Sequence, residues 1–398
     1  MAALDQTATL ASIKVGADRA LRSGNLAAAR EQFQRAVALA PERVDLWMGL
    51  AATQRAAGDL QDALLSVGNA LIAEPRSFPA LLMKGSLLES IGQMIPATTT
   101  YAAAVKLAPP IESLTEPARQ ALVHARAVQQ RHMEELAASL KAEAGLSGLA
   151  PESALGRRTD TFIEAMVGRR RVYHQEPVQF HYPGLPAIEF HERDTFPWLE
   201  ALEARTEAIR KEVLGVLAED TPELTPYINY PPGLPIDQWA ELNHSSNWSA
   251  FHLHFEGARV EANCARCPET MAAIALIDQP KVVGRSPASM FSILRPRTRI
   301  PPHTGVANTR LVMHLPLIVP EGCGFRVGGE TRQWRVGEAW VFDDTIEHEA
   351  WNDSDEPRAI LICDVWSPGL SVEERELIGR LTAALDRFNG GAGAGSAL

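Results

Sequence analysis

At 398 residues, with 46% hydrophobic and 22% charged side chains, the chain has enough apolar material to fold and exceeds the size at which one core stops growing, so global disorder is excluded and two domains are expected. A formal net charge of −11 argues against nucleic acid as the main ligand, because phosphate neutralisation needs an excess of Lys and Arg along a face. No run approaches the roughly 20 apolar residues of a membrane span, the first residues lack a signal-peptide plan, and four cysteines are too few for a disulfide scaffold. A cytoplasmic chain without a membrane span is the resulting expectation.

The first third repeats itself every 34 residues, at Gly24, Gly58 and Gly92 and again at Pro41, Pro75 and Pro109. The same step relates Ala29, Ala63 and Ala97, then Phe33, Val67 and Tyr101, then Ala36, Ala70 and Ala104. Each unit reads as a helix, a glycine turn, a second helix and a proline that stops it, with small residues where helices touch. Over residues 10–111 this pattern resembles the tetratricopeptide repeat, although Ile13 and Leu81 stand where the second unit has Trp47. The resemblance implies an all-α solenoid whose concave face binds a protein partner. Helical spacing at Ala118, Leu122, Ala125, Val128, Met133 and Leu136 predicts a cap, so the helical domain is placed at 1–145.

Gly148, Pro151 and Gly156 then mark a linker over 146–176, which includes a helix-like stretch at 159–167 and the basic cluster Arg169, Arg170 and Arg171, read as solvated. From 177 to 388 the texture is that of an α+β domain, with a charged helix over 198–217 and strand-like runs at 290–294, 311–318, 324–327, 339–342 and 360–365. Prolines interrupt the longer connections, which disfavours crossover helices and favours an antiparallel double-stranded β-helix of the jelly-roll kind. Residues 389–398, rich in Gly, Ala and Ser, are expected to be a disordered tail.

Two histidines are placed to converge in such a fold: His303, in the turn-like segment Pro301-Pro302-His303-Thr304-Gly305, and His348, several strands later. Neutral imidazole suits Fe(II). The position two residues after His303, where a carboxylate ligand is common, is Gly305. His252 and His254 form a His-x-His pair with no partner at suitable spacing, and Cys264 with Cys267 form a CxxC without a second pair.

Residues 177–370 resemble the aspartyl/asparaginyl β-hydroxylases through Phe291-Ser292-Ile293, Pro302-His303-Thr304-Gly305, Asn308-Thr309-Arg310-Leu311, His314-Leu315, Phe342-Asp343-Asp344, Glu347-His348-Glu349 and Asp364-Val365-Trp366. That family uses two histidines without the carboxylate. The resemblance implies that His303 and His348 ligate Fe(II), that Asp344 rather than Asp343 orients a water beside it, and that Arg358 with Ser292 grips the distal carboxylate of 2-oxoglutarate while His314 bonds its oxalyl end. The animal enzymes carry arginine where Val312 stands, and Arg310, on the same strand face, is the candidate replacement. The implied reaction consumes O2 and 2-oxoglutarate to hydroxylate a C–H bond, foremost the β-carbon of Asp or Asn in a peptide or protein. Hydroxylation of a lipid acyl chain or small metabolite, and a catalytically silent scaffold, are the competing readings.

Overall fold

In the computed structural model, residues 2–145, 153–218, 224–233 and 235–389 are described. They fall into two units, Met1–Arg169 and Arg170–Leu398. Gly148, Pro151 and the tail 390–398 lie outside the described residues.

In the first unit, α1 (Ala2–Arg22) pairs with α2 (Leu26–Leu39), α3 (Val44–Ala57) with α4 (Leu60–Ala73), and α5 (Phe78–Ser90) with α6 (Met94–Lys106). Each pair turns at a glycine with positive φ, Gly24, Gly58 and Gly92, a conformation that a Cβ disfavours. Close approach explains the small residues. A Cβ on Gly49 would lie 2.3 Å from Phe33 Cε1, and one on Gly85 would lie 2.4 Å from Tyr101 Cε1. The long α7 (Glu116–Glu143) covers the last pair with Leu122, Ala125 and Val128, as a cap must. The helix-like stretch after it is α8 (Ala154–Met166), which packs Ile163 against Ala137 of α7. The stretch expected to be a linker therefore contributes a helix to this unit.

In the second unit, the single charged helix expected over 198–217 is two: α9 (Leu199–Glu203) and α10 (Thr206–Ala218). The break falls where the Thr206 hydroxyl donates to the Glu203 carbonyl at 2.6 Å. Next come β1 (Thr225–Pro226), β2 (Trp248–Phe255), β3 (Ala258–Arg259), α11 (Glu261–Arg266) and α12 (Pro268–Ile274). The strands β4 (Ser289–Leu294), β5 (Thr298–His303), β6 (Arg310–Ile318), β7 (Cys323–Val327), β8 (Glu330–Arg332), β9 (Trp340–Phe342), β10 (His348–Asn352) and β11 (Arg358–Trp366) complete the sheets, and α13 (Val372–Phe388) follows. One sheet runs β1-β2-β4-β11-β6-β9 with β3 beside β2; the other runs β5-β10-β7-β8. Their strand pairs are antiparallel, as in a double-stranded β-helix.

Strand alternation assigns the two faces of the larger sheet. Leu311, Met313, Leu315 and Leu317 of β6, with Leu361 and Cys363 of β11, point to a core shared with α9, α10, α11 and α12. Cys264 and Cys267 pack in that core, 1% and 0% exposed. Arg310, Val312 and His314, the alternate residues of β6, face the other way, and Val312 joins Ile360, Phe325 and Val327 in the core between the sheets. That inter-sheet layer holds the chemistry.

Candidate functional site

His303 ends β5 and His348 begins β10, and the register of the two strands sets them directly opposite. Their ring centroids are 4.0 Å apart. Each ring is oriented the same way, with Nδ1 bonded to the carbonyl two residues earlier: His303 to Pro301 at 2.8 Å and His348 to Ile346 at 3.0 Å. A carbonyl only accepts, so Nδ1 carries the proton and the Nε2 lone pair is left for another partner. Burial pulls the pKa of His303 down to about 4, and burial followed by the neighbouring His303 holds His348 well below the ordinary value. Both rings are neutral at pH 7, the form in which imidazole ligates a metal.

Gly305 explains why no third ligand extends from the first segment. A Cβ there would fall 2.1 Å from Asp344 Oδ2, so the Asp344 carboxylate occupies the volume a side chain at 305 would need. Asp344 is 6% exposed; Oδ2 accepts from Arg310 Nη1 at 3.0 Å, while Oδ1 has no partner among the described residues. Burial pushes its pKa up to about 6 against the pull of Arg310. Asp343 differs: its Oδ1 accepts from the backbone N–H and hydroxyl of Thr345 at 2.9 and 2.6 Å. Asp343 holds a turn, whereas Asp344 keeps an oxygen free. Among the described residues no group of three or more His, Cys, Asp or Glu is arranged to hold a metal, so the imidazole pair stands without a third such protein ligand.

Arg310, the candidate replacement for the arginine missing at Val312, has carboxylate partners of its own, Asp344 at 3.0 Å and Asp364 at 3.5 Å. Asp364 is in turn fixed by Ser286 Oγ and the Ala288 N–H, at 2.9 and 3.0 Å. Arg358 is the opposite case. It is 1% exposed, its Nε and Nη1 have no partner among the described residues, and its guanidinium lies 4.9 Å from the centroid of Trp334. Burial lowers its pKa to about 10. Ser292 lies on the same face, since it pairs with Ile360 where Arg358 pairs with Leu294, and its hydroxyl accepts from Trp248 Nε1 at 3.1 Å. His314 is the register partner of Ile362 and Trp340 on that face. Burial, then the charge of Arg358, keeps its pKa well below the ordinary value.

His314 Nδ1 and the indole N–H groups of Trp334 and Trp340 also lack partners among the described residues. Each buried polar atom left unbonded is destabilising by about 1–3 kcal/mol. This set of cationic and neutral donors, with one hydroxyl beside it, is matched to an anion bearing several oxygens. Trp334, Trp340 and Trp248 were not foreseen as part of it. Neither were Trp239, whose ring meets His303 edge-on at 5.0 Å, and Tyr227, stacked on Trp248 at 3.9 Å. No spacing in the sequence marks them, because Trp248 and Trp340 are carried by strands while Trp239, Trp334 and Tyr227 come from the segments between them.

A cleft of about 260 Å³ opens on His303, lined among others by Glu176, Tyr230, Gln238, Trp239 and Glu347. A larger groove, about 530 Å³, runs along α13 past Lys281, Arg380 and Arg387 and shares no residue with this cluster. The rival pair does not converge: His254 Nδ1 bonds Ser289 Oγ at 2.7 Å, while His252 packs on Phe255, with a ladder irregularity between the two.

Residues 203–368 match the family model described as aspartyl/asparaginyl beta-hydroxylase, and residues 15–93 match a tetratricopeptide repeat model. The chain is 39% identical over 144 residues to the aspartyl/asparaginyl beta-hydroxylase of Mus musculus, covering 36% of this chain and 19% of that protein. It is 36% identical over 179 residues to that of Homo sapiens, covering 44% and 22%. It is 32% identical over 227 residues to an ornithine lipid ester-linked acyl 2-hydroxylase of Rhizobium tropici, covering 56% of this chain and 74% of that protein. The match thus spans about a fifth of the length of the two mammalian relatives.

Proposed function

The chain belongs to the aspartyl/asparaginyl β-hydroxylase family, with tetratricopeptide repeats ahead of the hydroxylase domain, and from that premise we propose that it is an iron(II)- and 2-oxoglutarate-dependent dioxygenase. The observation that carries this reading is one inter-sheet layer holding two neutral imidazoles with Nε2 left over and a buried guanidinium without a counter-ion. His303 and His348 would hold the metal through Nε2. Arg358 and Ser292 would take the distal carboxylate of 2-oxoglutarate, and His314 its oxalyl end. Bound there, the iron and its co-substrate supply activation of O2.

The chain's own residues do the rest. Asp344 keeps Oδ1 available to accept a hydrogen bond from water beside the imidazoles, and Arg310, tied to Asp344 and Asp364, fixes where that carboxylate stands. Phe325, Phe342 and Ile360 wall the layer with apolar surface that excludes water. The substrate enters by the cleft at His303. We take it to be an Asp or Asn residue of a peptide or protein, hydroxylated at the β-carbon, with the repeat unit recruiting that substrate or a partner.

Hydroxylation of a lipid acyl chain is the second reading, favoured by the Rhizobium relative, of which the match covers 74%. Among the described residues no helix is long and apolar enough to cross a membrane. The test is incubation with Fe(II), 2-oxoglutarate and O2. Succinate release with a peptide heavier by one oxygen atom supports the primary reading, a hydroxylated lipid supports the second, and absence of both refutes the assignment.

A further inference from the structure

The charges facing the proposed site are unevenly distributed, and this bears on which side chain the site accepts. Among the described residues, two guanidinium groups stand on the inner face of the larger sheet beside the imidazole pair. Arg310 is taken by Asp344 and Asp364, and Arg358 is reserved for the co-substrate under the reading above, on which this inference rests. The residue between Arg310 and His314 on that face, Val312, is buried and apolar. Among the described residues no further side-chain cation on that face therefore remains to meet a second carboxylate.

The cleft repeats the bias. Among the described residues its lining includes Glu176 and Glu347 and no lysine or arginine. Glu347 shares its one cation, Arg326, with Glu349, at 2.9 and 2.5 Å, and Glu176 has no ion-pair partner among the described residues. One guanidinium between two carboxylates leaves the rim negative. A carboxylate arriving at this rim would be repelled, whereas a cation there would be attracted.

We propose that the site takes an uncharged target side chain, asparagine rather than aspartate, set beside a lysine or arginine of the substrate polypeptide whose charge rests against Glu176 and Glu347. The cavity fits this placement, since the same two glutamates line the opening together with His303, a candidate ligand.

The experiment uses the full chain with Fe(II), 2-oxoglutarate and four short peptides combining a central Asn or Asp with Arg or Glu neighbours. The Asn peptide with Arg neighbours should exceed the Asp peptide with Glu neighbours in kcat/KM by at least about tenfold. That advantage should shrink in the Glu176→Gln, Glu347→Gln double variant, with 2-oxoglutarate affinity retained. Equal or better use of the acidic peptide, an advantage indifferent to the double variant, no peptide turned over, or an amine-headed lipid turned over in preference to all four would each overturn the proposal. Visible absorption on anaerobic addition of Fe(II) and 2-oxoglutarate separates the two claims: without it the dioxygenase reading itself fails, and with it an overturning result falls on this inference alone.

Discussion

Replacing Arg358 with methionine separates a binding arginine from a structural one. Burial moves the guanidinium from 12.5 to about 10, which at 1.36 kcal/mol per unit disfavours the charged form by roughly 3 kcal/mol. Methionine fills similar space without charge, and the lost contact with Trp334 is worth about 2 kcal/mol at a desolvated site. The ligand-free variant should therefore be as stable as the wild type or more so, by up to about 1 kcal/mol. A guanidinium–carboxylate pair in a buried site contributes about 3–4 kcal/mol, so 2-oxoglutarate should bind roughly 100- to 1,000-fold more weakly. Urea unfolding reports the first quantity and anaerobic titration with 2-oxoglutarate the second. A variant destabilised by more than about 2 kcal/mol with unchanged affinity would show that Arg358 is a packing element and refute the reasoning.

Gly305→Ala should lower turnover at least about tenfold while leaving the far-ultraviolet dichroism intact, because its Cβ would force Asp344 aside; unchanged turnover would mean that the position of that carboxylate is immaterial. Metal-free protein should lose stability as pH falls from 7 to 5. His303 has a folded pKa near 4 against 6.5 in the unfolded chain, so the unfolded state takes the proton first, and its contribution, complete above about 6.5, drops by about 2 kcal/mol at pH 5. His348 and His314 act in the same direction, and Asp344, raised to about 6, offsets part of the loss. Urea midpoints followed by tryptophan fluorescence at the two pH values measure the sum, and a midpoint higher at pH 5 would contradict the sign. Gly49→Ala, which drives a methyl into the Phe33 ring, should destabilise the repeat unit by about 1–3 kcal/mol in thermal dichroism without changing 2-oxoglutarate affinity.

The repeat unit was legible because its physics is local: a glycine at positive φ and small side chains at helix contacts recur with the chain's own period. The candidate ligands were legible because they sit in short segments that keep their spacing. Strand β5 was not, since Pro301 and Pro302 argue against a strand; it survives because β5 is the edge of its sheet and the two prolines fall at the register irregularity with β10, where neither has a ladder partner. The start of β10 was hidden likewise, its apolar residues being few. The aromatic surroundings of Arg358 and His303 come from Trp248 on a strand, Trp334 in a connection and Trp239 in a short helical turn, which only the tertiary fold brings together. The partners of Arg310 were invisible for the same reason, so a residue expected to hold the co-substrate proves to be tied to two aspartates.

Anaerobic titration with Fe(II) and 2-oxoglutarate, followed by visible absorption, tests the central claim most directly. The account predicts a weak band that needs both additions, disappears in His303→Ala and in His348→Ala, and in Arg358→Met requires far more 2-oxoglutarate. A wild-type chain without the band, or a band that survives removal of both imidazoles, would contradict it.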